Sequence, residues 1–281
     1  MQKRKKGNIV LQLIVDKAQS LKEFTENNYA QGSFFWNYLL KNKEIKVNGK
    51  KVDKDVPVSV GDEISYFLTA KQAEKPAFYI VEQDENFIVV DKESGVNSEA
   101  VFAQLKRRNA ECRFIHRLDR NTQGLLIFAL TDDAETALKN AFKNRTVEKI
   151  YHALCFGEMP KDRDILTAYL KKDEGKSLVK IFSTKKASAE EIITEYEVLE
   201  KKADTTKVKI VLHTGKTHQI RAHLAFIGRP IVGDMKYGDT AKNNAKNAKR
   251  QCLVAKSLRF SLDGKYEYLN EKSLISRFDV E

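Results

Sequence analysis

The chain is poor in the residues that mark unusual classes of protein. Its 281 residues include only 3 cysteines, 4 prolines and 13 glycines, which excludes a disulfide-built scaffold, a collagen-like repeat and a low-complexity disordered chain. No apolar run reaches the roughly 18 residues of a membrane span, so no membrane partner is expected. A hydrophobic content of 42% predicts at least one sizeable core, and the length predicts about two domains.

Cysteine usage and the first residues indicate an intracellular protein. Cys112, Cys155 and Cys252 lie far apart and form no Cys-x-x-Cys pair, as is typical of a reducing compartment. The basic segment Met1–Gly7 precedes an apolar stretch, 9–15, that is short, interrupted and without a small-residue cleavage site, so no signal peptide is expected. The sequence therefore predicts a cytoplasmic location.

The histidines do not form a metal-binding pattern. His213, His218 and His223 are spaced five residues apart, which does not place their side chains on one helical face, and no cysteine lies nearby. Neither a metal site nor a cofactor is expected.

Charge is the feature that points to a partner. The 50 Lys and Arg residues exceed the 39 Asp and Glu residues and give a net charge of +11. This balance favours a polyanionic partner, either a nucleic acid or an anionic surface.

The first part of the chain, 8–72, is predicted to form a small α/β module. Apolar residues at helical spacing predict a helix over Ser33–Lys43. Asn48-Gly49 is the strongest short hairpin signal, and Gly61-Asp62 marks a second turn. The predicted strands are Ile45–Val47, Lys50–Val52 and Ile64–Phe67. The polar residues 70–77, which include Pro76, predict a linker.

The remainder, 78–281, predicts an α+β domain with a large mixed, mostly antiparallel β-sheet flanked by helices and loops, because strand-like runs outnumber helical patterns. The predicted strands are Tyr79–Val81, Phe87–Val90, Leu125–Leu130, Val147–Phe156, Ile192–Leu199 and Val208–Leu212. Helices are predicted from Asp132, with Glu135 completing a capping pattern, and over Thr217–Ile227. Residues 241–250 (AKNNAKNAKR) predict a solvated loop or lid, with contact to nucleic-acid phosphate as the alternative.

Three stretches contain residues suited to chemistry. In Arg117-Leu118-Asp119-Arg120 a carboxylate lies between two arginines just before an apolar strand. One interpretation is a surface ion-pair loop. The other is a carboxylate kept ionised by arginine, which would act as a nucleophile or base.

The other two stretches are ambiguous by themselves. Lys149-Ile150-Tyr151 lies on a predicted strand, where tyrosines usually pack into cores. In 212–223 a strand ends at a Thr-Gly turn and enters a helix that carries His, Gln, Arg and His. The free N–H groups of a helix N-terminus suit an anion, and a polar helix face is the alternative interpretation.

Taken together, these stretches resemble a known family. The segment 116–126 (HRLDRNTQGLL), Lys149-x-Tyr151 placed 32 positions after Asp119, and 214–223 (TGKTHQIRAH) running on to 228–238 (GRPIVGDMKYG) resemble the motifs of the RluA-type pseudouridine synthases. The resemblance covers about 78–262. The N-terminal module is similar to the RNA-binding module of ribosomal small-subunit protein four.

The resemblance implies a role for each matching residue. Asp119 is implied to be the catalytic aspartate of an isomerase that detaches uracil from ribose, turns it over and rejoins it through carbon. It attacks the sugar, attacks the base or abstracts a sugar proton; the sequence leaves these open. Tyr151 would stack on the base and serve the final proton removal, and Arg221 would pair with Asp119. Arg117 would occupy the space left by the flipped nucleotide.

The resemblance also implies the partner. Substrate contacts are expected from further motif positions, namely His116, Thr122, Lys149, His218 and Gln219. Phosphate contacts in the N-terminal module are expected from Lys43, Lys46, Lys50 and Lys51. A monomer acting on structured RNA is expected, with 23S ribosomal RNA favoured over transfer RNA. The alternatives from other classes are a catalytically idle RNA-binding protein and a glycosidase, which would need a second carboxylate beside Asp119.

Overall fold

A computed structural model of the chain describes residues 9–29, 31–74, 78–173 and 178–281. Its internal contacts divide it into two compact units, Met1–Tyr79 with Gly95–Cys112 and Ile80–Ser94 with Arg113–Glu281. The sequence predicts two domains, 8–72 and 78–281. Residues 95–112 fall in the second predicted domain, but in the structure they belong to the first unit. No helix in the described ranges is both long and apolar enough to cross a membrane.

The first unit is a small antiparallel sheet with helices. Its strands are β1 (Ile9–Ile14), β2 (Gln19–Ser20), β3 (Ile45–Val47), β4 (Lys50–Val52), β5 (Pro57–Val58) and β6 (Glu63–Leu68), and its helices are α1 (Leu21–Asn28), α2 (Gly32–Lys41), α3 (Ala70–Glu74) and α4 (Ser98–Arg108). The four-stranded sheet has the order β1-β6-β3-β4. Its core contains fully buried apolar side chains of α1, α2, β3 and β6, namely Leu21, Phe24, Leu39, Ile45, Ile64 and Tyr66.

The predicted hairpin is confirmed. Asn48 and Gly49 have φ angles of 47° and 77°, the left-handed backbone that a two-residue hairpin turn requires. The Asn48 side chain donates to Asp62 Oδ1 at 2.8 Å and accepts from the Glu63 backbone N–H at 2.9 Å. The hairpin is therefore anchored to the Gly61-Asp62 turn, which lies in the chain just before β6.

The predicted linker is wrong over Ala70–Glu74, which forms helix α3; Lys75, Pro76 and Ala77 lie outside the described residues. Thr69 and Gln72 bond reciprocally: the Thr69 N–H donates to Gln72 Oε1 at 2.8 Å and the Gln72 N–H donates to Thr69 Oγ1 at 3.3 Å. This capping box begins a helix despite the polar composition of the segment.

The second unit contains the predicted large sheet. Its strands are β7 (Phe78–Gln83), β8 (Phe87–Lys92), β9 (Arg113–Phe114), β10 (Gln123–Ala129), β11 (Val147–Phe156), β12 (Arg163–Asp173), β13 (Leu178–Phe182), β14 (Glu190–Lys201), β15 (Thr205–Leu212), β16 (Leu253–Phe260) and β17 (Leu274–Ile275). The main path is β13-β12-β14-β15-β11-β16-β10-β8-β7, with β9 on β10 and β17 on β16. Only β10 and β16 pair in parallel among these ladders, so the mixed, mostly antiparallel α+β architecture is confirmed.

Three α-helices and a 3-10 helix accompany this sheet: α5 (Asp132–Asn144), α6 (Gln219–Phe226), α7 (Thr240–Ala245) and the 3-10 helix Gly264–Glu271. The helix predicted from Asp132 is confirmed as α5, whose N-cap is Thr131; its hydroxyl accepts from the Ala134 N–H at 3.2 Å. The segment predicted as a loop, 241–250, is helical in its first half, since Asp239 caps α7 by accepting from the Lys242 N–H.

Packing fixes α6, the helix that follows β15. Ile220 and Leu224 on α6 share a core cluster with Ile210 on β15 and with Tyr196 on β14. Because these side chains are almost completely buried, the first turn of α6 is held at a fixed position at the end of β15, where the third motif lies.

Candidate active site

Asp119 lies in the loop between β9 and β10. Its carbonyl accepts from the Thr122 N–H at 3.0 Å and closes a turn, and the Thr122 hydroxyl accepts from Gln251 Nε2 at 3.0 Å. Upstream, His116 Nε2 accepts from the Ile127 N–H of β10 at 3.2 Å. The loop is therefore tied down on both sides of Asp119, whose side chain retains 23% exposure.

Arg221 on α6 binds two carboxylates. Its Nη1 donates to Asp119 Oδ2 at 2.8 Å, while Nε and Nη2 donate to the two oxygens of Asp234 at 2.7 and 2.9 Å. The pairing of Arg221 with Asp119, which the resemblance implies, is thus present across 102 positions of sequence. The fork on Asp234 is bidentate, the strongest geometry of this kind of pair.

Asp234 is a site residue to which the sequence alone assigned no role. Its side chain is 1% exposed, and it also accepts from the N–H groups of Lys236 and Tyr237. Burial raises the pKa of Asp234, but its bonds to Arg221 and to these N–H groups outweigh burial and hold the pKa below its usual range. The sequence did contain a signal for Asp234, because it is a carboxylate within the third motif. The guanidinium of Arg221 has donors for more than one acceptor, so a second carboxylate partner could have been sought there.

His116 and Lys149 also line the cavity that contains Asp119. Burial, with a contribution from the charge of Lys149, lowers the pKa of His116 to about 3, so its ring is neutral at physiological pH. That ring stacks on Phe142 with centroids 4.5 Å apart. Burial also lowers the pKa of Lys149, and Arg145 lowers it further.

Tyr151 on β11 presents a hydroxyl that stays protonated. Burial raises its pKa, and the negative charge of Asp119 raises it further. Among the described residues this hydroxyl has no hydrogen-bond partner, although it lines the same cavity as Asp119. It is therefore available to a bound molecule.

Gln219 has a different environment from the one the sequence suggests. Its amide donates to Ile193 O and Thr194 Oγ1 and accepts from the Thr214 hydroxyl and the Lys216 N–H. These bonds join the turn before α6 to β14. Contact between Gln219 and substrate stays a prediction, and the bonds that it makes in the structure hold the turn in place.

All the residues predicted for catalysis and substrate binding line one open cavity of about 160 Å³. They are Asp119, Tyr151, Arg221, Arg117, His116, Thr122, His218, Gln219 and Lys149. Such a cavity has room for a single base rather than for a stacked duplex. The nearby carboxylate of Asp234 is occupied by Arg221, so the geometry gives no support to a glycosidase with two free carboxylates.

The lysines predicted to bind RNA lie on the first unit. Lys46 and Lys51 are directly opposite each other across β3 and β4, and Lys50 is opposite Val47. Lys46 Nζ lies 5.0 Å from the centroid of the Phe67 ring, and Lys43 forms a 3.2 Å ion pair with Asp53. In the described part of the chain, no group of three or more His, Cys, Asp or Glu side chains is placed to hold a metal ion.

The fold and the cavity define an enzyme-like site built around a carboxylate and an arginine, and comparisons with known proteins identify the family. The family model for RNA pseudouridylate synthase matches residues 73–226. Ribosomal large subunit pseudouridine synthase C of Rickettsia bellii is 30% identical over 71% of this chain and 76% of its own length. The dual-specificity RNA pseudouridine synthase RluA of Pasteurella multocida is 35% identical over 66% of this chain and 87% of its own.

Solved structures agree with the sequence comparisons. Human RNA pseudouridylate synthase domain containing 1 matches with a TM-score of 0.60 and 30% identity, over 66% of this chain and 79% of that one. The chain belongs to the RluA-type RNA pseudouridine synthase family and is an isomerase that acts on RNA. The predicted family and enzyme class of the second domain are thereby confirmed. The family match begins at residue 73, so the similarity of the N-terminal module to the module of ribosomal protein four stays a prediction.

Proposed function

We propose that Asp119 is the catalytic residue of this enzyme and that its substrate is a uridine in large-subunit ribosomal RNA. The observation that carries the proposal is the asymmetric setting of the carboxylate. Arg221 holds Asp119 Oδ2 at 2.8 Å, and among the described residues Oδ1 has no hydrogen-bond partner. An ionised oxygen beside a base-sized cavity is suited to act as nucleophile or base.

The reaction needs no redox change and no group donor. The N1–C1′ glycosidic bond of uridine breaks, the base turns, and a bond from C5 to C1′ forms. The C5 proton is then removed, and N1 carries a proton in the product. Asp119 supports the first step. Tyr151 lines the same cavity and lies against the base; because its raised pKa keeps the hydroxyl protonated at rest, its oxygen takes the C5 proton only as its own proton passes to the uracil nitrogen N1.

A uridine must leave its stack to reach this cavity. Extruding a base costs a few kcal/mol, and a side chain that fills the vacated space offsets part of that cost. Arg117 is exposed and lines the cavity two residues before Asp119. This placement supports the proposal that Arg117 occupies the space of the flipped nucleotide.

Ribosomal RNA is favoured over transfer RNA by the relatives. The Rickettsia bellii protein, as well as that of Vibrio cholerae at 30% identity, is named a ribosomal large subunit pseudouridine synthase. The relative named dual-specificity makes transfer RNA the second candidate. Because flanking RNA shape rather than the cavity selects among such substrates, the N-terminal module is proposed to contribute to that choice.

The N-terminal module is proposed to hold RNA as the module of ribosomal protein four does. Lys46 and Lys51 face each other across the hairpin, an arrangement of like charges that destabilises a sheet by a few tenths of a kcal/mol or more. RNA phosphates would relieve that repulsion. Cys112, Cys155 and Cys252 form no disulfide, which supports the proposed location in the reducing cytoplasm.

The test is a map of pseudouridine in ribosomal and transfer RNA from cells with and without the protein. We expect one or a few positions in large-subunit ribosomal RNA to lose the modification and to regain it on complementation with the wild type but not with Asp119→Asn. Loss confined to transfer RNA would overturn the choice of substrate, and restoration by Asp119→Asn would overturn the role of Asp119.

A further inference from the structure

His218 has an unusual conformation at the entrance to α6. Its backbone is left-handed, with φ 55° and ψ 16°, which is rare for a residue with a Cβ and is maintained only where the surroundings enforce it. Its Nδ1 lies 2.9 Å from the Tyr237 hydroxyl, and its Nε2 lies 3.9 Å from Asp119 Oδ2. The two ring nitrogens therefore face two different groups.

The hydrogen bonds of Tyr237 constrain where the imidazole proton of His218 lies. The Val179 backbone N–H donates to Tyr237 Oη at 2.8 Å, which uses the phenolic oxygen as an acceptor. The donor and acceptor roles at Nδ1 depend on the tautomer of His218; with the Val179 N–H already on Tyr237 Oη, the single hydroxyl proton of Tyr237 is available for His218 Nδ1 to accept. An imidazole that accepts at Nδ1 carries its own proton on Nε2, the nitrogen that faces Asp119.

The surrounding charges agree with a neutral ring. Burial lowers the pKa of His218, and Arg221 and Lys236 lower it further, whereas Asp119 and Asp234 act in the opposite direction; the pKa lies below its usual value. At neutral pH the ring beside Asp119 is therefore neutral rather than a second cation.

We propose that Tyr237 and His218 are positioning residues, in which Tyr237 fixes His218 as the neutral Nε2–H tautomer and this N–H polarises Asp119 Oδ2. At 3.9 Å the contact is beyond a hydrogen bond and acts as an oriented dipole. Arg221 and His218 then both act on Oδ2 and leave Oδ1 as the reactive oxygen. The inference rests on the proposed catalytic role of Asp119, but the state of His218 itself does not.

Nitrogen-15 NMR of histidine-labelled protein tests the tautomer directly and without RNA. At pH 7 we expect His218 to show a protonated Nε2 and an unprotonated Nδ1. A protonated Nδ1, in either the other tautomer or the imidazolium, would overturn the proposal. Because this readout does not depend on turnover, its failure is distinguishable from failure of the proposed role of Asp119.

Tyr237→Phe tests the functional part, since it removes the hydroxyl and keeps the ring that lies 5.3 Å from the Arg221 guanidinium. We expect kcat to fall about tenfold, equivalent to about 1.4 kcal/mol, with KM for RNA unchanged. Loss of the O–H donor to Nδ1 removes a bond that favours the neutral ring, so the pKa of His218 rises. The acid limb of the kcat profile should therefore move to higher pH.

The control is Tyr268→Phe. In the wild type the Tyr268 hydroxyl donates to Asp84 Oδ2 at 2.6 Å, and Tyr268 does not line the cavity. Both variants are compared at a temperature where each is folded. A second pair of variants tests whether an N–H at the place of His218 Nε2 is needed, beyond the packing of a polar side chain. The amide N–H of His218→Gln reaches that place, so this variant should retain more activity than His218→Asn. The proposal would be contradicted if Tyr237→Phe and Tyr268→Phe had the same kcat and the same acid limb. It would also be contradicted if His218→Gln and His218→Asn lost activity equally.

Discussion

At the scale of single residues, Arg221 divides its donors between two carboxylates that have different tasks. Asp234 receives Nε and Nη2 and is almost completely buried, whereas Asp119 receives only Nη1 and keeps part of its surface exposed. The bidentate fork orients the guanidinium, and the single bond leaves Asp119 one oxygen for its proposed role in the chemistry. We therefore propose that Asp234 acts on the reaction through Arg221.

Asp234→Asn should therefore reduce turnover as well as stability. An amide cannot accept both N–H groups of the fork and presents its own donors to the guanidinium, which leaves a buried charge poorly paired. We expect kcat to fall at least about tenfold, and the free energy of unfolding to fall by about 3 kcal/mol. Single-turnover kinetics and denaturant unfolding measure the two effects.

The matched control for that variant is Asp133→Asn, because Asp133 is 82% exposed and lies 3.9 Å from Lys265. Surface pairs of this kind contribute at most about 1 kcal/mol, so both quantities should stay near the wild type. If Asp234→Asn had the kcat of Asp133→Asn, Arg221 would not depend on Asp234 for its position.

At the scale of elements, the sequence predicts best those segments whose signals are local. The hairpin of β3 and β4 and the strand β11 have the predicted bounds, because Asn48-Gly49 fixes the turn and β11 is largely buried. The strands β12 and β13 were not predicted. Most of the side chains of β12 are exposed or half-buried, so its stability comes from pairing with β14 and β13 rather than from an apolar pattern of its own.

In the active site, too, local sequence signals were predicted and tertiary contacts were not. The residues of each motif are adjacent in sequence, so the three motifs could be recognised one by one, and the resemblance supplied their roles. The approach of Arg221 to Asp119 and the fork on Asp234 depend on how α6 packs on β14 and β15. No local spacing contains that information, and Asp234 was missed for this reason.

The pairing of β10 with β16 requires a glycine at position 124. Gly124 has a φ of 113°, and an added Cβ would lie 2.3 Å from Ala255 O. Gly124→Ala should therefore lower the free energy of unfolding by roughly 3 kcal/mol, from backbone strain and overpacking together. Denaturant unfolding measures the change.

Gly264→Ala is the control for this substitution, since Gly264 also has a positive φ, 66°, but no atom lies within 4 Å of the added Cβ. It should cost only the strain, about 1 kcal/mol. Equal losses in the two variants would show that the close approach of β16 does not constrain position 124.

At the scale of the whole molecule, the net charge of +11 is proposed to serve two tasks. Lysines of the first unit hold RNA by phosphate contacts, which are salt-sensitive because they release counterions. Arg117 and Arg221 of the second unit are proposed to act at the cavity, where Arg221 is bonded to Asp119. Affinity and turnover should therefore respond to different substitutions.

Replacing the four module lysines by glutamine should weaken RNA binding and flatten its salt dependence, by a slope of up to about 0.9 for each lost phosphate contact. Turnover on saturating RNA should persist. The four are Lys43, Lys46, Lys50 and Lys51. Binding isotherms at several salt concentrations, with kcat at saturation, measure both effects.

The control for the module variant has the same loss of charge at exposed lysines of the second unit, namely Lys171, Lys172, Lys185 and Lys186. It should leave the salt slope nearer to that of the wild type. Identical slopes in the two variants would mean that overall charge, rather than the module, attracts RNA, and loss of turnover at saturation would mean that the module takes part in catalysis.

The carboxylate of Asp119 is proposed to perform the chemistry, and the decisive measurement is the rate of pseudouridine formation by Asp119→Asn on large-subunit ribosomal RNA transcripts. We expect the purified variant to fold, to bind the transcript within about twofold of the wild type, and to form product at least about 10³-fold more slowly. Product formation at a rate near that of the wild type would contradict this proposal.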